Sequence, residues 1–210
     1  MALVKYNNNS ISAVTSAASV PSGAMTLIKT LTADEDSTLA FVNGASDVVL
    51  DSTYPIYLVK CIGIHPSNNE KHFQFNGSDD TSSHSYDITK TTTVFAAHHY
   101  EDDSQTNLRY STGHDIAQGT GFQNFNNEDF VGNDNDQNIV VELYLFNPSS
   151  TTFVKHFIAR SMTNTDQNVC VDNYIAGYFN TTAAITALQF KMSANNIDTG
   201  TLKLYGIKDS

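Results

Sequence analysis

The stretch ITALQFKMSANNIDTGTLKLYGIKDS (residues 185–210) decides the fold class. Leu188, Phe190 and Met192 alternate with Gln189 and Lys191, and Leu202 and Leu204 alternate with Thr201, Lys203 and Tyr205. Period two with one apolar side is the mark of a strand with one face buried and one wet. Between the two runs lies Asn195-Asn196-Ile197-Asp198-Thr199-Gly200, rich in residues that tolerate positive φ or bond their own backbone. The stretch therefore predicts a β-hairpin with a loop longer than the two-residue minimum, and burial of Leu188, Phe190, Met192, Leu202 and Leu204. A lone hairpin is marginal in water, so this one is expected to close a larger sheet supplied by the rest of the chain.

Working outward, strand-like runs follow one another. They are residues 24–31, 37–42, 56–64, 71–75, 91–97, 138–146, 151–159 and 169–179, most of them bounded by turn signals such as Asn43-Gly44, Asn76-Gly77 and Asn147-Pro148-Ser149-Ser150. The run 56–64 is apolar on both faces, as a central strand is, and His65-Pro66 is expected to break it. Runs 138–146 and 151–159 predict a second hairpin. No stretch sustains a helical period, although 181–188 has room for one turn. Nine or ten short strands of this kind predict an all-β protein, a jelly-roll-like antiparallel β-sandwich over residues 24–210. Residues 1–23 are small and polar with no clear period, and read as an extended N-terminal arm. Residues 100–137 are the most polar part and the least strand-like, and a connection that long inside a compact domain is usually functional.

Composition narrows the function classes. The chain has 210 residues and a net charge of −11, from 11 Lys and Arg against 22 Asp and Glu. Neither Lys nor Arg occurs between Arg109 and Lys155, so clustered cations for nucleic acid or an anionic membrane are not expected there. No stretch reads as a signal peptide or as a membrane-spanning helix, and neither export nor membrane insertion is expected. Cys61 and Cys170 each sit in an apolar run and read as two buried free thiols, with a single bridge between neighbouring strands as the other reading.

Candidate chemistry is sparse. The segment His98-His99-Tyr100-Glu101-Asp102-Asp103 supplies metal-ligand types, but in a strand His98 and His99 point to opposite faces, so no metal site is expected. Residues 127–138 imitate a calcium loop, yet the positions that need Gly and Glu hold Ile139 and Leu145 when the loop starts at Asp134. A solvated acidic turn is the expectation instead. No G-x-S-x-G, P-loop or G-x-G-x-x-G occurs, Glu101 and Asp103 are read as an exposed acidic turn, and no catalytic residue or cofactor is expected. Tyr100, Tyr110, Phe122 and Phe125 in the polar middle segment are the candidates for glycan contact, should the protein be a lectin-like module.

Three separated stretches resemble a family of tailed-bacteriophage virion proteins common in marine phages. In TLIKTLTADEDSTLAFVNGASDVVLDSTYPIYLVKCIGIHPSNN (26–69), Thr53-Tyr54, Tyr57 and His65-Pro66 match residues that flank a central strand in that family. LFNPSSTTFVKHFIARS (145–161) is similar to its second signature, and residues 184–208 are similar to its closing one. Asn195 stands where the family usually has Gly, and Asn is the next-best residue for positive φ. The resemblance implies a β-sandwich that works, without catalysis, as a capsid decoration or a tail-fibre part. It implies a virion location after synthesis in the host cytoplasm, and other virion proteins as partners. Analogy with other phage appendages implies a homo-oligomer, a trimer in particular, anchored through residues 1–23. The alternatives are a carbohydrate-binding host-attachment module and, last, a polysaccharide depolymerase.

Overall fold

The computed structural model describes residues 24–127 and 129–208. The arm expected over residues 1–23 lies outside the described residues.

Twelve strands and no helix make up the described chain. They are β1 (Met25–Asp36), β2 (Leu39–Val42), β3 (Ile56–Pro66), β4 (Phe73–Ser78), β5 (Lys90–Tyr100), β6 (Thr106–Tyr110), β7 (Gln123–Asn124), β8 (Ile139–Phe146), β9 (Lys155–Asn164), β10 (Val169–Phe179), β11 (Ala187–Met192) and β12 (Ile197–Ile207). Two antiparallel sheets form the sandwich. One has eight strands in the order β1-β12-β3-β8-β9-β10-β5-β6, the other four in the order β2-β11-β4-β7. The chain crosses between the sheets repeatedly, which is the jelly-roll-like feature of the topology.

The closing stretch is not a hairpin. β11 pairs with β2 and β4 in the small sheet, and β12 pairs with β1 and β3 in the large one. The strand phase is nevertheless as expected: Leu188, Phe190, Met192, Leu202 and Leu204 are all buried. Alternation reports which face is covered, not which strand lies alongside, so it fits a crossover between sheets as well as a hairpin. The crossover 193–196 runs beside the β3–β4 crossover 67–72. Ser67 N–H donates to Asn196 O (3.1 Å), Asn196 N–H to Ser67 Oγ (3.2 Å), Ser193 N–H to His72 O (2.8 Å) and His72 N–H to Ser193 Oγ (3.1 Å). Asn195 turns this corner at φ 65°, the left-handed conformation expected of it.

Other expectations shift at their edges. β3 runs through His65 to Pro66, and His65 Nδ1 lies 3.1 Å from Asp198 Oδ2 on β12. β4 likewise continues through Asn76-Gly77 to Ser78, because both residues pair with β11. β8 and β9 do form a hairpin, but β9 starts at Lys155, because Ser150 Oγ takes the N–H groups of Thr152 and Phe153 and holds that stretch in a turn. No helical turn occurs over 181–188. Cys61 is buried while Cys170 is exposed, and both are free. They lie on opposite faces of strands separated by β8 and β9, so neither the two-buried-thiol reading nor a bridge holds.

Phenylalanines fill the space between the sheets. Phe41, Phe73, Phe75, Phe125, Phe157, Phe179 and Phe190 are each at most 1 % exposed. Phe75 stacks on Phe125 (4.8 Å between centroids) and meets Phe157 and Phe179 edge-on. Burying one such ring contributes about 2–3 kcal/mol from area alone. The resembling TY…Y residues serve this packing. Tyr57 is buried, its hydroxyl donates to Asp51 O and accepts from Asp51 N–H (3.0 Å each), and Tyr54 packs edge-on against it. Gly206 on β12 leaves room for that Tyr54 ring, which any Cβ there would overlap.

Candidate functional site

Eleven large apolar side chains are exposed among the described residues, and all but Phe153 lie on strands of the eight-stranded sheet. On β5, β8, β9 and β10 their neighbours along the strand are buried, and register places Met25, Leu27, Ile62, Leu108 and Tyr110 on the same side. Ile158 and Met162 alternate with Phe157, Ala159, Ser161 and Thr163, and Phe95 stands between Val94 and Ala96. The ten therefore share one surface, the outer face of that sheet. Scattered single apolar residues are ordinary on a protein surface; an apolar face of this extent marks an interaction site.

Strand register orders this face into rows. The central row runs from edge to edge as Thr30, Lys203, Lys60, Glu142, Arg160, Tyr174, Phe95 and Tyr110. Cross-strand neighbours interact in its middle. Lys60 Nζ lies 2.9 Å from Glu142 Oε1. The Arg160 guanidinium donates twice to Asp172, through Nε to Oδ1 (2.9 Å) and through a terminal nitrogen to Oδ2 (2.6 Å), and it also lies 5.2 Å from the Tyr174 ring centroid. Tyr174 in turn stacks on Phe95 at 4.9 Å with 3° between the planes. The hydrogen bonds from Arg160 to Asp172 raise the Arg160 pKa above its ordinary value. On one side of this row lie Val140 and Met162, on the other Tyr144 and Ile158, paired across β8 and β9. A concavity of about 560 Å³ opens here, with Ile62, Val140, Met162 and Cys170 on its walls.

The four aromatics expected to contact glycan do not form one platform. Phe125 is fully buried among Phe73, Phe75 and Phe190, so it contacts no ligand. Tyr100 is half-buried against Ala96, Val169 and Val171. Phe122 sits under the Lys191 ammonium (4.2 Å), on the side of the four-stranded sheet. Tyr110 alone of the four lies on the outer face, its hydroxyl donating to Asp115 Oδ2 (2.7 Å). The aromatics that do cluster on the exposed face, Phe95 and Tyr174, were not singled out from the sequence. The signal was present in the alternation of residues 91–97 and 169–179, but which strands would lie side by side was not.

His98 and His99 point to opposite faces, as the strand reading requires, His98 inward and His99 out. The inward histidine organises a polar interior. His98 Nδ1 lies 3.0 Å from Asp129 Oδ2, and Asn127 Nδ2 donates to His98 Nε2 (2.8 Å). Arg109 reaches the same carboxylate at 3.4 Å. The hydrogen bond from His98 holds the Asp129 carboxyl below its ordinary 3.8, against the upward pull of burial. Asp129 thus departs from the expected solvated acidic turn; Asp134 and Asp136 in the same segment are exposed. The segment turns inward there because Phe125, Asn126 and Asn127 are buried before it and Val131 after it. Glu101 and Asp103 are exposed.

Among the described residues no group of three or more His, Cys, Asp and Glu side chains is placed to hold a metal ion, and no helix is long and apolar enough to cross a membrane. No protein-family model, no curated protein and no solved structure matches the chain.

Proposed function

We propose that this chain is a structural protein of a bacteriophage particle that acts by assembly, through the outer face of its eight-stranded sheet, and not by catalysis. The observation that carries the assembly role is that face: among the described residues, ten of the eleven exposed large apolar side chains lie on it. An exposed sheet face that carries this many large apolar side chains costs a free-standing protein solubility. The particle context rests on the three stretches that resemble marine phage virion proteins, in order along the chain. Capsid decoration and tail fibre are both compatible with that resemblance, and other virion proteins are the partners it implies.

The carbohydrate-binding alternative has less support. A sugar ring stacks on a free aromatic face. Phe95 and Tyr174 give facing sides to each other, and Arg160 lies over Tyr174, which leaves ring edges for a partner.

The test is gold labelling of this chain in electron micrographs of purified phage that encodes it. Label on head or tail of intact particles is the expected result. Its absence from particles that otherwise carry their full protein set overturns the reading, and specific capture of the purified chain on a glycan array replaces it with the attachment module.

A further inference from the structure

The central row of the outer face complements itself. With eight strands the midline of the sheet falls between β8 and β9. Consider two such sheets packed face to face, related by a two-fold axis that runs along the strands at this midline. Each residue on one half then meets the residue equally far from the midline on the other half of the second copy. Glu142 meets Arg160, Lys60 meets Tyr174 and Lys203 meets Phe95, and every pair forms twice. The first pair sets a carboxylate on a guanidinium, which is attractive, and the other two set an ammonium beside an uncharged aromatic ring, so no like charges meet. Beside the axis Val140 meets Met162 and Tyr144 meets Ile158, so the centre is apolar.

We infer that two copies of this chain pair through the outer face of the eight-stranded sheet about this axis. The inference deepens the assembly reading and rests on it. Charge favours a second copy as the occupant. The chain carries −11 overall and repels itself. Yet the three central rows of this face hold Lys60, Lys203 and Arg160 against only Glu142 and Asp172, so this surface escapes that repulsion. Area favours it too. Eight strands about 4.8 Å apart and ten residues long present about 1,000 Å². A stable pair needs about 800 Å² per partner. A lipid surface would bury the same five charges with nothing to match them. A self-complementary face closes on itself in a pair, whereas a ring of three joins two different patches.

The experiment uses the full chain and measures mass by sedimentation at micromolar concentration. The unmodified protein is expected as a dimer. Arg160→Glu sets two carboxylates against each other at both copies of the pair, and Glu142→Arg sets two cations together. Each variant alone is therefore expected as a monomer, its dissociation constant raised roughly a hundredfold or more. Mixed, the two variants restore both ion pairs and are expected to form a heterodimer. Both side chains are about half or more exposed, so folding is checked independently by an unchanged circular-dichroism spectrum. Met162→Asp, beside the axis, supplies a second disruption that involves no existing ion pair. A monomer or a trimer for the unmodified chain overturns the inference, as does a dimer that all three variants leave intact. None of these results touches the particle labelling, so the failure of one reading is distinguishable from the failure of the other.

Discussion

Beneath β9 and β10 the large sheet rests on phenylalanines; beneath β5 it rests on amides, a histidine and a carboxylate. The difference follows from what lies opposite. Phe157 and Phe179 face Phe75 on β4, a strand whose backbone groups are already paired within a sheet, so only side chains need to be accommodated. Around β5 the partner is irregular chain. Residues 111–127 bring inside backbone groups that mostly lie outside the sheet ladders, and buried polar groups must find partners. Ser111 N–H donates to Val94 O and Thr92 N–H to Ile116 O, the Gln123 amide donates to His114 O, Ser161 Oγ donates to Phe125 O, and the Lys90 ammonium donates to Ile88 O. One half of the interior is stabilised by area, the other by satisfied hydrogen bonds, and the two should respond differently to substitution.

Phe190→Ala probes the apolar half where it is densest, since the ring neighbours Phe41, Phe73, Phe75 and Phe125. Truncation there is expected to cost about 3–5 kcal/mol in denaturant unfolding. A loss below about 1 kcal/mol would show that neighbouring rings collapse into the gap.

In the polar half the largest effect is expected from Asp129→Ala, about 2–3 kcal/mol, because it leaves His98 and Arg109 facing each other without a carboxylate. The same group sets a pH dependence. Its carboxyl titrates below 3.8 in the fold, so its contribution is present above that value and is lost as pH falls through the depressed one. Asp129→Asn should flatten that acid limb in a pH series of melting temperatures.

Lys90 gives a slope of the same sign in an alkaline window, although here burial is a penalty. It is fully buried, and burial pulls its ammonium down to about 8 from 10.5. Between those two values the unfolded chain holds a proton that the folded chain has lost, so stability should rise with pH across the window. Below about pH 8 both states are charged and the penalty is constant. Lys90→Met should remove the slope, and a slope that persists would place its origin elsewhere.

The smallest effect is expected at Asn173. It is fully buried, and neither end of its amide finds a hydrogen-bond partner among the described residues. Asn173→Leu should leave stability unchanged or raise it by about 1 kcal/mol, since no hydrogen bond is forfeited. A clear loss in thermal unfolding would mean that the amide is in fact bonded.

What the sequence determined by itself was local. The alternation at 188–192 and 202–204 set which side chains are buried, and the turn residues at 43–44 and 147–150 set where β2 and β8 stop. β6 was missed because Thr106–Tyr110 is short, polar and mostly exposed, and the two residues of β7 carry no pattern at all. The candidate site was scarcely legible. Tyr110 was singled out, but Phe95, Tyr174, Arg160 and Glu142 form one row only because β5, β10, β9 and β8 lie side by side in register. Period two says that a residue faces one side or the other and is silent about the strand beside it. For the same reason the closing residues 185–208 read as a hairpin. Pairing partners are chosen by contacts between residues far apart in the chain, and those exist only in the folded sandwich.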